Sequence, residues 1–165
     1  MRIIFCRIGW QKNYDGNIDD KAQCSGTFTK NNTGFEFYNG KSYDGVFYGY
    51  AKTQGKIHFE KIEKGYSKYL ETMEKVLVVF FSEKKVVGWY ENATLYRDRQ
   101  IVPVSVLQER EFKDIKIFIA KTKIAKFISE NERNFEIIGA GQNDIFYGNE
   151  MLKIKVMEYI KKISK

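Results

Sequence analysis

The feature that most limits what this chain can fold into is a pair of apolar runs joined by charge. Val76-Leu77-Val78-Val79-Phe80-Phe81 is followed by Ser82-Glu83-Lys84-Lys85 and then by Val86-Val87-Gly88-Trp89-Tyr90. A short apolar run bounded by charge has the pattern of a strand covered on both faces. The polar tetrapeptide turns the chain back, so the two runs predict an antiparallel hairpin near the middle of a sheet. The segment from Thr94 to Val102 continues as strand until Pro103, which marks a break or an edge.

The remainder reads as short strands with a few helices. Residues 2–8 are an apolar strand, and the loop after it carries Trp10 and Tyr14. Residues 17–33 are polar, with turn signals at Ser25-Gly26 and Asn31-Asn32-Thr33-Gly34. Residues 35–38, 46–51 and 56–62 read as strands, separated by glycine-containing turns. Residues 113–120 alternate Ile115, Ile117 and Ile119 against charge, which predicts another strand. Over 121–130 the period changes, and Ile124, Phe127 and Ile128 fall on one helical stripe. Asn149 is placed to cap a final helix. Leu152, Val156, Tyr159, Ile160 and Ile163 lie on one side of it, and Lys153, Lys155, Lys161, Lys162 and Lys165 on the other. The expected fold is a single α+β domain over residues 1–165. Its sheet is mixed and either curved or curled into a barrel, with two or three helices packed outside.

Charge narrows the partners. Lys and Arg number 28 against 21 acidic residues, a net +7, and such an excess favours polyanions. Most of it is lysine, which suits diffuse phosphate contact. Cys6, Cys24 and the sole histidine, His58, cannot close a zinc site without carboxylates, and no CxxC or HxxxH spacing occurs. No metal or cofactor is therefore expected, and a reducing, cytoplasmic setting is. There is no leader pattern, and no apolar run nears the roughly 20 residues of a membrane span.

Trp10, Tyr14, Tyr38, Trp89, Tyr90, Tyr96 and Tyr147 all fall at strand ends or in loops. Aromatic planes in such places can stack on nucleobases, at about 1–3 kcal/mol each. They can equally fill the core. In a regular strand Trp89 and Tyr90 point to opposite faces, so without a bulge only one of them can line a given pocket. Asn39, Asn92, Gln142 and Asn143 offer donor and acceptor side by side, as base-edge readers need. Asn39, beside Gly40, suits turn chemistry better. A metal-dependent nuclease is a rival reading, because Glu111-Phe112-Lys113 and Glu83-Lys84-Lys85 have the Glu-x-Lys spacing such enzymes use. Glu and Lys are common enough here to produce that spacing by chance.

Three segments carry a resemblance. These are Phe5-Cys6-Arg7-Ile8-Gly9-Trp10 with Tyr14 and Gly16; Val86-Val87-Gly88-Trp89-Tyr90-Glu91-Asn92-Ala93-Thr94-Leu95-Tyr96-Arg97; and Gly141-Gln142-Asn143-Asp144-Ile145-Phe146-Tyr147 before the last helix. In this order they resemble the N-terminal specificity domains of bacterial modification-dependent restriction endonucleases, of the McrB-like and HNH-linked kinds. The third departs from the family pattern, lacking its Ser and carrying Phe146 in place of Trp. Such domains are similar to the PUA-like superfamily, which includes EVE and YTH modules. The resemblance implies a PUA-like β-barrel with flanking helices and no catalysis of its own. It implies recognition of double-stranded DNA carrying a modified, methylated base flipped into an aromatic pocket, and a fused or associated nuclease or NTPase. Trp10, Tyr38, Trp89, Tyr90 and Tyr147 are then the pocket candidates, with Asn92 and Asn143 reading the base edge. Arg7, Lys12, Arg97 and Arg99 would hold the DNA backbone. Two alternatives stand beside this: an RNA-binding module of the same superfamily, and a small nuclease using Glu111 and Lys113.

Overall fold

The computed structural model describes residues 1–20 and 34–164. Cys24 and the turns expected at Ser25-Gly26 and 31–33 lie outside the described residues. Eight strands form one sheet: β1 (Ile3–Arg7), β2 (Ser42–Tyr43), β3 (Val46–Gly49), β4 (Thr72–Ser82), β5 (Lys85–Ile101), β6 (Ile117–Thr122), β7 (Ile124–Phe127) and β8 (Ile145–Phe146). Three helices accompany them: α1 (Phe59–Ile62), α2 (Val104–Glu109) and α3 (Glu150–Ile163). The strand order is β2-β3-β6-β5-β4-β1-β8, with β7 added on β5. β1 runs parallel to β4, and the other pairs are antiparallel. The class is α+β, and of the two forms expected the sheet is the open one, not a closed barrel.

The central hairpin forms where the sequence places it, with Ser82 opposite Lys85 and Val79 opposite Trp89. Its turn residues Glu83 and Lys84 have φ of +49° and +65°. A two-residue hairpin needs that left-handed backbone, and Asn-Gly adopts it with less strain.

β5 is 17 residues long and changes character at its middle. On β4, inward-facing Met73 and Val76 are separated by an extra residue, and Lys75 there has φ +57°. On β5, inward-facing Tyr90 and Ala93 are likewise an odd step apart, with Asn92 at φ +48°. Across the middle of β5, β6 and β7 share one register (Leu95↔Ala120, Thr94↔Lys121, Glu91↔Ile124) on either side of a break at Lys123, and β6 shifts register again only between Leu95 and Gln100. Three neighbouring strands thus kink at one level, making a crease across the sheet. Such bulges bend a sheet and raise its twist.

Each face is covered. Ile4, Cys6, Val78, Phe80, Val87 and Tyr90 point to one side, where Ile57, Phe59 and Ile62 pack on them with Tyr14. Ile3, Phe5, Val79, Phe81 and Trp89 point to the other, under Val156 and Ile160 of α3. A smaller cluster around Tyr38, Tyr43 and Phe118 lies against Val106 of α2. Asn149 caps α3, its side chain accepting from the Leu152 amide at 2.8 Å. Lys153, expected on the outer side of that helix, is buried instead, and its ammonium reaches Glu150 at 2.8 Å.

Three local expectations are corrected. Residues 124–127 are a strand rather than part of a helix, because the edge of β5 from Gly88 to Glu91 takes them as a pairing partner. Gly88 allows this approach: a Cβ there would lie 2.5 Å from the Phe127 ring and 2.7 Å from the Lys126 carbonyl oxygen. Residues 59–62 form α1 rather than a strand, since Phe59 and Ile62 reach the core from one helical face. Residues 35–38 form a 3₁₀ turn. No helix of the described residues is long and apolar enough to cross a membrane.

Candidate functional site

A cavity of about 290 Å³ opens beside the loop that follows β1. Trp10, Gln11, Lys12, Asn13, Asn17, Asp19, Asp20 and Glu130 line it. The volume approaches the lower end of the range of small-molecule sites.

The loop is held from two directions. The Asp20 carboxylate accepts from the backbone amides of Lys12 and Asn13, each at 2.5 Å, and of Tyr14 at 2.9 Å. Charge-assisted bonds of this kind are stronger than neutral ones. From the other side the Arg133 guanidinium donates to the carbonyls of Gln11 at 2.7 Å, Lys12 at 2.6 Å and Ile128 at 2.9 Å. Arg133 is buried, 3% exposed, and makes no ion pair among the described residues. Burial pulls its pKa below the ordinary arginine value. Its cation lies 4.6 Å from the Trp10 ring centre and 5.6 Å from that of Tyr14. The Tyr14 hydroxyl donates to the Gly9 carbonyl at 2.6 Å, and burial pushes its phenol pKa well up.

Trp10 itself is half-buried, and its indole N–H donates to Glu130 at 2.8 Å. Gln11 is 1% exposed; its amide NH₂ donates to the Asp20 carbonyl at 2.9 Å, while its Oε1 has no partner among the described residues. A buried acceptor left this way is costly until a donor reaches it. With Asp20 engaged by three amides and Glu130 by Trp10, the wall presents a flat ring, amides and the Asp19 carboxylate. Among the described residues Lys12 is the one cation lining it. Such a wall suits a planar ligand that carries N–H donors, and suits phosphate poorly.

The structure separates the other expected pocket residues. Trp89 and Tyr90 are fully buried on opposite faces of β5, as strand alternation requires, and neither lines an open slot. The Trp89 indole donates to Glu91 at 3.0 Å, and the Tyr90 hydroxyl to the Asn39 carbonyl at 2.5 Å. Tyr38 is buried beneath Arg110, and its hydroxyl accepts from the Phe112 amide at 3.0 Å. Tyr147 is half-buried and accepts from the His58 amide at 3.0 Å. Asn92 is exposed in the crease, and Asn143 is exposed with its amide on the Ala140 carbonyl at 2.9 Å. None of these residues lines the cavity beside Trp10.

The expected backbone contacts are corrected in part. Arg97 is 6% exposed, stacked 4.3 Å over Phe59 and bonded to the carbonyls of Ile57, Ser67 and Leu70, so it is a core strut and no phosphate can reach it. Arg7 is paired with Asp144 and Gln142, each at 2.7 Å, and Arg99 holds the Thr53 carbonyl at 2.7 Å. Only Lys12 of the four is beside the cavity. For the nuclease alternative, Lys113 donates to the carbonyls of Leu107 and Gln108 at the end of α2. No group of three His, Cys, Asp or Glu side chains among the described residues could hold a metal.

Of the residues singled out in the sequence, Trp10, expected in a base pocket, and Lys12, expected on the DNA backbone, line this cavity; Gln11, Asp20, Glu130 and Arg133 were not singled out. The available signal was weak: the Asp19-Asp20 pair follows the Trp10 loop within ten residues. Arg133 gave none, because two of its three acceptors, Gln11 and Lys12, lie more than 100 residues away in sequence. No protein-family model, curated protein or solved structure matches the chain.

Proposed function

We propose that this chain is a nucleic-acid-binding module that holds one extruded base, in modified form, against Trp10. The observation that carries the reading is the half-buried Trp10 in the wall of a cavity about 290 Å³ in volume, next to a buried Gln11 amide oxygen that has no partner among the described residues. A base brought there gains a stacking surface and edge partners, which together offset the few kcal/mol of unstacking. A methyl group adds roughly 0.8 kcal/mol of apolar contact when buried, and a fitted wall increases the discrimination. The net positive charge supplies the general attraction to a polyanion. The module acts without catalysis, as the specificity part of a modification-dependent restriction system.

The test is binding to matched duplexes with and without a methylated base at fixed salt, alongside RNA of the same sequence. The reading expects tighter binding to the modified duplex, and loss of that preference in Trp10→Ala. Equal affinity for the two duplexes rejects modified-base recognition. Preference for the RNA moves the module to the RNA-binding class.

A further inference from the structure

We infer that Arg133 is a positioning residue for the cavity, a latch that fixes Trp10 in the cavity wall. This rests on the reading of Trp10 as the ligand-stacking surface. Three observations lead to it. Arg133 lies over the Trp10 ring at 4.6 Å and is not among the cavity-lining residues, so it holds the ring without being part of the cavity wall. Its guanidinium donates to the carbonyls of Gln11 and Lys12, the two residues directly after Trp10. It is buried with no carboxylate in ion-pair range among the described residues.

A buried cation with no direct ion pair is costly even with the Glu130 and Asp20 carboxylates in the neighbourhood, and a protein core needing only volume there would do better with an apolar side chain. What a guanidinium offers in addition is a planar fork that holds several carbonyls at set angles while stacking on a ring. Lysine's three N–H donors radiate from one nitrogen, so it can neither stack flat on a ring nor match carbonyls spaced to the three guanidinium nitrogens. The geometry therefore assigns Arg133 the job of fixing the loop at Gln11 and Lys12, while Asp20 fixes the amides of residues 12–14 from the opposite side. Trp10, so fixed, stays in the cavity wall.

The test labels the protein with 5-fluorotryptophan, which gives one ¹⁹F signal for Trp10 and one for Trp89, assigned with Trp10→Phe. In Arg133→Lys the Trp10 signal is expected to shift and broaden while the Trp89 signal, deep under α3, stays in place. A Trp10 signal unchanged in position and width overturns the proposal, and so do equal shifts of both signals, the mark of a general structural role. If Arg133→Lys does not fold, the wild-type protein decides. Its Arg133 Hε resonance is expected in slow exchange and ring-current shifted, with the shift lost in Trp10→Leu. An Hε in fast exchange at the ordinary arginine position overturns it. Binding separates this proposal from the functional one. Arg133→Lys is expected to lose at least 10-fold in affinity for the methylated duplex with an unchanged salt slope. Absence of nucleic-acid binding by the wild-type protein, with the ¹⁹F result intact, rejects the functional reading and leaves the latch standing.

Discussion

The two tryptophans sit in neighbourhoods of similar composition and have opposite fates. Trp89 follows Gly88 on a central strand, adjoins Tyr90, hydrogen-bonds a glutamate two residues on and has a lysine 5.7 Å from its ring. Trp10 follows Gly9 in a loop, packs near Tyr14, hydrogen-bonds Glu130 and has an arginine 4.6 Å from its ring. Trp89 is fully buried and Trp10 is half-open. What separates them is the backbone beneath. A strand in mid-sheet offers two faces, and here α3 covers one while α1 and Tyr14 cover the other. A loop past the strand end lacks such cover on both faces, and with Arg133 against its ring Trp10 is only half-buried. Aromatic content near a glycine therefore marks a place where rings gather; coverage by other elements decides whether they bind a ligand or support the fold.

That contrast can be broken at several points. Trp89→Ala removes a large, fully buried side chain and is expected to cost about 3–5 kcal/mol, read as a fall in the urea midpoint. Tyr90→Phe leaves the Asn39 carbonyl without its donor in the core and is expected to cost roughly 1–3 kcal/mol by the same measurement. Trp10→Ala is expected to cost only about 1–2 kcal/mol, while its effect on ligand preference is complete. A Trp10→Ala loss as large as that of Trp89→Ala would make both tryptophans core residues and remove the distinction. The smallest expected effect is a gain. Lys84→Gly relieves a left-handed backbone at φ +65° and is expected to raise stability by about 0.5–1 kcal/mol, seen as a higher melting temperature.

Much of the fold is legible in the residues. The β4–β5 hairpin follows from two apolar runs around a charged tetrapeptide, β1 from its own apolar run, and α3 from Asn149 and a helical stripe. The site is less so. Trp89 and Tyr90 can be assigned to opposite faces by alternation, but the closing of both faces depends on α1 and α3, which come from distant segments. Residues 121–130 carry a helical stripe, yet pairing with β5 satisfies more backbone at once, and non-local hydrogen bonds override the local period. Arg133 is one basic residue in a polar stretch; nothing nearby tells that two of its three acceptors come from the loop after β1.

The crease at Lys75, Asn92 and Lys123 sets limits on how this protein can change length. A period-two pattern followed from Tyr90 would place Asn92, Thr94 and Tyr96 inside, whereas Ala93 and Leu95 are the ones in the core. Deleting Asn92 alone would restore alternation on β5 without turning any inward residue outward, but it would straighten one strand between two bent partners. Removing all three kinked residues together would keep the same side chains inside and flatten the surface that carries them. Indels in this region must therefore arrive as matched sets across three strands, so the bend is a shared property that no single strand can lose by itself.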